Sequence, residues 1–232
     1  GKKEFTGATI LAAEAALRTG TGSVKIISNS KTLQIFSLKF PSVLKYEIKN
    51  INELKKFLIK EKITSMLIGP GLGKGKKIKE ITKLILKKVK HVVIDADAIT
   101  CFQDDLSSFY KLLDKNKIIT PHLQEFNKVF PKLKKKINRV DKVLKAIKLI
   151  KSNIILKGAN TIIASYDKKI VINRHASPEL AVIGSGDVLS GLVVSLMGKN
   201  KMSPFLAGCA AVWLHGDIAK KFGPGLIAED II

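Results

Sequence analysis

A chain of 232 residues, 46% hydrophobic and 26% charged, is long enough to bury roughly 70% of its surface and too apolar to be disordered. Two distant cysteines, Cys101 and Cys209, with no CxxC pair, exclude a zinc finger and a disulfide scaffold and fit a reducing, cytoplasmic setting. The net charge of +22 invites a nucleic-acid reading, but lysine runs along the whole chain and aromatics are only 6%, so a solvated, lysine-biased surface is expected instead.

In chain order, residues 9–18 form an alanine-rich segment that closes at Gly20, a helix with a glycine stop. The β-branched run 24–27 reads as a buried strand. Ile51–Lys60 places Ile51, Leu54, Phe57 and Leu58 on one helical face. Strand-like Met66–Ile68 precedes a second amphipathic segment, 78–89. Val92–Ile94 and 118–119 read as further strands, and 132–136, Lys-Leu-Lys-Lys-Lys, as a solvated loop. A helical pattern returns over 140–150, then a strand over 154–156. From Thr161 the rhythm changes: 161–165 and 170–173 flank four polar residues as a hairpin. Helices over 187–197 and Pro204–Phe222 end the chain. This alternation predicts an α/β fold, a central mostly parallel sheet with helices on both faces, as one domain over residues 1–232. The longest apolar segment, 204–214, is too short to span a bilayer. No signal-peptide core follows Lys2 and Lys3, and the missing initial methionine points to a chain shortened at its N-terminus.

Sheets of this kind bind ligands at the carboxyl ends of their strands. Four successive predicted strand ends carry polar or glycine-rich groups: Gly69-Pro70-Gly71-Leu72-Gly73, Asp95-Ala96-Asp97, Thr120-Pro121-His122 and Lys157-Gly158. Together they read as the rim of an active site. Gly184-Ser185-Gly186-Asp187 opens a helix, where converging backbone N–H groups and the helix dipole suit a phosphate. Asp187 is either an N-terminal cap or a base that takes the proton of a hydroxyl attacking phosphorus.

The stretch from Asn173 to Gly191, with His175-Ala176-Ser177-Pro178 and Gly184-Ser185-Gly186-Asp187, resembles the signature of the NAD(P)H-hydrate dehydratases of the ribokinase-like superfamily. Phe5-Thr6-Gly7-Ala8, Gly69 to Gly73, Asp95-Ala96-Asp97-Ala98, Thr120-Pro121-His122 with Glu125, Lys157 to Thr161, Ala210 to Gly216 and Gly225 to Asp230 follow in the family's order. The resemblance covers nearly the whole chain. Ile183 departs from it, standing where the family usually has glycine, and Gly1 resembles the remnant of a glycine-rich turn.

The resemblance implies repair of hydrated NADH or NADPH, by phosphorylation of the new hydroxyl and loss of phosphate. Asp187 would be the catalytic base. Gly184, Ser185 and Gly186 would stabilise the transferring phosphoryl group. Lys157, Gly158, Ala159, Asn160 and Thr161 would hold the nucleotide. Ala8, Gly71, Gly73 and His122, with Asp187, would line the hydrate pocket, and Glu125 would order Mg2+ through water. The lysine-rich, arginine-poor composition resembles bacterial members, which implies ADP rather than ATP as donor. The resemblance also implies a homo-oligomer, a tetramer, and a full-length protein in which an epimerase domain can precede this one.

Two alternatives stay open: a kinase of a small thiazole or pyrimidine alcohol, which would share Asp187 and the glycine turn, and a basic nucleic-acid-binding domain. Thr120-Pro121-His122 and Gly69 to Gly73 favour the dehydratase over the kinase. Salt dependence of DNA binding would identify the third class. His215 in an apolar helix reads as a satisfied core histidine, His91 as surface, and Trp213 as core. Cys101 and Cys209 read as buried small hydrophobes, and His175 as a loop residue near nucleotide.

Overall fold

Alternation of buried side chains organises the molecule. A computed structural model describes residues 3–73, 75–134 and 138–232. In chain order its elements are α1 (Thr6–Arg18), β1 (Lys25–Ser28), α2 (Ser30–Lys39), β2 (Leu44–Glu47), α3 (Ile51–Lys60), β3 (Met66–Ile68), α4 (Lys76–Lys88), β4 (Val92–Ile94), α5 (Asp97–Thr100) and α6 (Leu106–Leu112). They continue as β5 (Lys117–Ile119), α7 (Leu123–Val129), α8 (Arg139–Ile150), β6 (Asn153–Leu156), β7 (Thr161–Ala164), β8 (Ile170–Asn173), α9 (Ser185–Gly198) and α10 (Pro204–Phe222).

Six strands form one sheet in the order β3-β4-β5-β6-β7-β8. The first four are parallel, and β7 and β8 add an antiparallel hairpin at the edge. Successive residues on each strand face opposite layers. Ile94, Ile119, Ile154 and Ile162 join a core with Phe102, Phe126 and Ile147. Their neighbours Val93, Ile118, Ile155 and Ile163 join a second core with Val188, Val193 and Ala211 of α9 and α10. Both faces being covered, the inner strands are apolar apart from Lys117, Asn153 and Thr161 at the starts of β5, β6 and β7, which is why they stand out in the sequence.

The predicted strand at 24–27 pairs elsewhere. β1 runs parallel to β2 in a separate two-stranded sheet, seated on a third cluster of Ala13, Ile26, Phe36, Phe40 and Val43. β2, Leu-Lys-Tyr-Glu, is at most half-buried and carries no apolar run to announce it. Helices α6 and α7, with only 7 residues each, also escape the periodicity, as does α2, whose apolar residues Leu33, Ile35, Phe36 and Leu38 do not keep to one face, Leu38 being exposed. Their starts are fixed instead by side-chain caps from Asn29, Asp105 and His122. Of the basic loop, Lys135 and Lys136 lie outside the described residues, as does Gly1.

Trp213 is not a core residue. It is 49% exposed and stacks on His175, ring centroids 5.4 Å apart and planes 13° from parallel. It lies on the outer side of α10, whose inner side is filled by small residues such as Ala207, Gly208 and Ala211. His215, by contrast, is buried as expected.

Candidate active site

Because β3 to β6 are parallel, their carboxyl ends share one edge of the sheet, and the predicted rim residues meet there. At the end of β3, Gly69 takes φ 134°, and a Cβ there would collide with the Asp95 carbonyl. That close approach lets the Asp95 N–H donate to the Ile68 carbonyl at 3.0 Å. Gly71 abuts the Phe5 carbonyl, and the Gly73 N–H donates to Asp97 Oδ2 at 2.7 Å.

Asp95, at the end of β4, is only 1% exposed. Its Oδ1 accepts from Lys157 Nζ at 2.9 Å and its Oδ2 from Ser190 Oγ at 2.8 Å. Lys157 follows β6, and its N–H donates to the Pro121 carbonyl at 2.9 Å, locking the β6 end to the β5 end. The Lys157 ammonium in turn reaches Gly186: a Cβ on that glycine would lie 3.3 Å from Nζ. Burial works against its charge, but Asp95, Glu125 and Asp187 outweigh burial and raise its pKa.

His122 acts first as a helix cap. Its Nδ1 accepts from the Gln124 N–H at 3.1 Å and the Glu125 N–H at 3.4 Å, while Glu125 Oε2 accepts the His122 N–H at 2.9 Å. The His122 side chain is half-exposed, with Nε2 3.6 Å from Glu125 Oε1.

Asp187 is not the cap of α9. The helix opens at Ser185, with Gly184 as N-cap at φ 92°, a left-handed turn that suits glycine. Asp187 is the third residue, and its carboxylate accepts no hydrogen bond among the described residues. Burial first, then the charge of Asp95, push its pKa up to about 6; Lys157 pulls it down and Glu125 adds to the rise. A half-buried carboxylate poised near neutrality suits a general base. The Gly186 N–H beside it has no protein partner among the described residues, as expected of a first-turn amide offered to an anion. Ser185 is held from behind: His215 Nε2–H donates to its carbonyl at 3.0 Å and lies 3.2 Å from its hydroxyl.

The 157–161 loop offers the same chemistry. Thr161 Oγ1 donates to the Gly158 carbonyl at 2.8 Å and accepts the Gly158 N–H at 3.3 Å. Its hydroxyl is thus used in shaping the loop, and the Ala159 and Asn160 amides are left unpaired among the described residues. Ala8 lies in the first turn of α1, between Phe5, which abuts Gly71, and Leu11, which abuts Gly184. Ile183 is 99% exposed, so its side chain stands clear of the turn and Gly184 alone carries the left-handed backbone. His175 donates through Nε2 to Asp217 Oδ1 at 3.1 Å and accepts at Nδ1 from Lys220 at 3.2 Å. These contacts anchor the segment leading to Gly184.

The NAD(P)H-hydrate dehydratase family model (Carb_kinase) matches residues 1–225. The chain belongs to this family. It is 32% identical over 243 residues to a Neisseria meningitidis protein named ADP-dependent (S)-NAD(P)H-hydrate dehydratase, covering all of this chain and 80% of that one. It is 29% identical over 248 residues to the bifunctional NAD(P)H-hydrate repair enzyme Nnr of Dictyoglomus turgidum, where it spans 48% of the relative's length. A crystal structure of the Bacillus subtilis ADP/ATP-dependent NAD(P)H-hydrate dehydratase, co-crystallised with ATP/Mg2+ and soaked with CoA, superposes with a TM-score of 0.78 and 25% identity. That match covers 100% of this chain and 85% of that one. The fold is the ribokinase-like one.

Within this family frame, three residues of the site lay beyond the sequence reading. Asp95 was visible as part of a motif but carried no role. Ser190, four residues after Gly186 in α9, lies within the stretch 173–191 that carries the resemblance but had no role in it. Arg139, at the start of α8, gave no signal at all. Among the described residues no three His, Cys, Asp or Glu side chains form a cation cage. The available carboxylates fit magnesium differently: it binds through one or two carboxylates plus substrate phosphates and keeps its waters. Glu125 and Asp187 both act to raise the pKa of Lys157, and Glu125 is the carboxylate that would hold such an ion through water.

Proposed function

We propose that this chain restores NADH or NADPH from the hydrate of the dihydronicotinamide ring, using an adenine nucleotide as phosphoryl donor. The observation that carries the reading is the placement of Asp187: an ionisable carboxylate with no hydrogen-bond partner among the described residues, one residue from the Gly186 amide, likewise unpaired among them, and within the field of Lys157.

The chemistry needs such an arrangement. Hydroxide is a poor leaving group from the ring and phosphate a good one. The hydrate's hydroxyl is a weak nucleophile until its proton leaves, and Asp187 takes that proton as the oxygen attacks the terminal phosphorus. The Gly186 amide and the α9 dipole meet the charge growing on the phosphoryl oxygens, and Lys157 adds a fixed cation. With ADP, AMP departs. The phosphorylated ring then expels phosphate and loses a proton from the neighbouring carbon, which restores the ring double bond. Water thus leaves as phosphate and protons.

The 157–161 loop binds the nucleotide through the amides of Ala159 and Asn160. Ala8, Gly71, Gly73 and His122 form the opposite wall, for the hydrate. Glu125 would hold, through water, a magnesium ion arriving with the nucleotide; that ion would neutralise phosphate charge. ADP is the donor in this reading, as the name of the Neisseria relative states for that protein. The active form is a homo-oligomer, a tetramer, and in the bifunctional relatives the homologous segment is about half of a longer chain.

The test is direct. Hydrated NADH or NADPH is incubated with the protein, Mg2+ and either ADP or ATP, while dihydronicotinamide absorbance is followed. Return of absorbance with release of phosphate supports the reading. No return with either nucleotide, in protein that is folded, overturns it.

A further inference from the structure

We infer that Arg139 is a positioning residue for the nucleotide, a clamp that shapes the 157–161 loop through the carbonyls at its two ends; this rests on the reading that the nucleotide binds at that loop.

Of 41 basic residues only three are arginine: Arg18, Arg139 and Arg174. Arg139 is the first residue of α8, and its guanidinium lies under the loop after β6. Nη1 donates to the Asn160 carbonyl at 3.1 Å, and Nη2 to the Leu156 and Lys157 carbonyls at 3.2 and 3.1 Å. A single side chain thus takes carbonyls from both ends of the loop. Lysine, a single ammonium on a flexible stem, lacks the planar fork that reaches both at once.

The consequence is one of span. The Leu156 and Lys157 carbonyls at one end of the loop and the Asn160 carbonyl at the other are held to a single guanidinium, and the Ala159 and Asn160 amides, free among the described residues, lie between these two fixed ends. Gly158 fits the clamp: at φ 157° a Cβ there would lie 2.7 and 2.9 Å from the two guanidinium nitrogens. Only a residue without a side chain lets the fork approach so closely. The buried Nε–H has no partner among the described residues, a cost set against three charge-assisted bonds. A cavity of about 480 Å3 opens beside the clamp, with Arg139, Asn160, Ile162, Ile172 and Arg174 in its walls.

A clamp of this kind touches no reacting atom. It should govern nucleotide affinity and leave both the hydrate site and the proton transfer intact. Binding of ADP with Mg2+ is measured by calorimetry for the wild type, Arg139→Lys and Arg139→Ala, alongside melting temperature and the KM for the hydrate. Arg139→Lys keeps the charge and loses the fork, so ADP Kd rises on the order of 10-fold; Arg139→Ala loses both and weakens ADP further. The KM for the hydrate stays within about twofold in both, a split expected of uniform binding lost from one substrate only.

An Arg139→Ala protein that binds ADP within about twofold of the wild type overturns the clamp. So does a parallel rise in the hydrate KM, which would indicate general loosening. If the alanine variant does not fold, Arg139→Lys decides alone by the same criterion. If the wild type itself binds no ADP, the nucleotide reading fails and the clamp falls with it; that result is distinct from a wild type that binds normally beside an unaffected variant.

Discussion

The ammonium of Lys157 stands 2.9 Å from the Asp95 carboxylate and close over Gly186, so a buried acid at the end of β4 aims a cation at the opening of α9. Asp95 also accepts from Ser190, which fixes α9 itself. The acid thereby sets the distance between lysine and helix, and its charge is second only to burial in raising the Asp187 pKa.

Asp95→Asn tests that relationship. The amide keeps the shape but leaves Lys157 without its nearest counter-charge, and breaking a buried pair costs about 3 kcal/mol. With the Asp95 charge gone, Asp187 ionises more easily. The acid limb of the pH–rate profile therefore moves to lower pH while turnover at neutral pH falls. An unchanged acid limb in folded Asp95→Asn protein would contradict the electrostatic link.

Asp187→Asn removes the base and keeps the volume. Turnover falls on the order of 10²–10⁴-fold, with ADP affinity nearly unchanged. Stability gives an independent check. Raised from 3.8 to about 6 in the folded chain, Asp187 binds its proton more tightly folded than unfolded. Its contribution is full below pH 3.8 and is lost as pH rises through about 6. Relative to the wild type, the asparagine variant should therefore gain on the order of 1–3 kcal/mol between pH 4 and pH 7, read as diverging melting temperatures.

His215 carries the opposite sign. Burial, with a small push from Lys157 and against the hydrogen bond to Ser185, lowers its pKa to about 4. The unfolded chain binds the proton more tightly, so this stability is present above about pH 6.5 and is lost as pH falls through about 4. His215→Gln should flatten the fall in melting temperature over that range. A ring signal titrating near pH 6.5 by NMR would show that the imidazole is not held neutral as described.

Gly191 is a matter of space alone. It lies within α9, where a Cβ would collide with the Ala12 carbonyl and come within 2.9 Å of Ala15 Cβ on α1. Alanine is the better helix former by about 1 kcal/mol, yet Gly191→Ala should destabilise by about 1–3 kcal/mol because α1 must move away. A higher melting temperature would mean that α1 and α9 are not in such close contact.

The sequence by itself determined the sheet and most of its helices. Strands covered on both faces are apolar over most of their length, as in Val92–Ile94 and at Ile154, Ile155 and Leu156, and amphipathic helices such as Ile51–Lys60 repeat their apolar residues at helical spacing. Glycines at strand ends and before α9 were legible because the positive φ at Gly69 and Gly184 is one that other residues rarely adopt. Only the tertiary structure decided which groups meet. Asp95 and Lys157 are 62 residues apart, and Asp95 and Ser190 are 95 apart; no local periodicity encodes such a pairing. The same holds for β1 with β2 in their own sheet, Trp213 turned outward onto His175, and Arg139 reaching back to the carbonyls of Leu156, Lys157 and Asn160. Secondary structure follows from short-range sterics and hydrophobic spacing, whereas a site is assembled by strand order, which brings distant carboxyl ends to one edge.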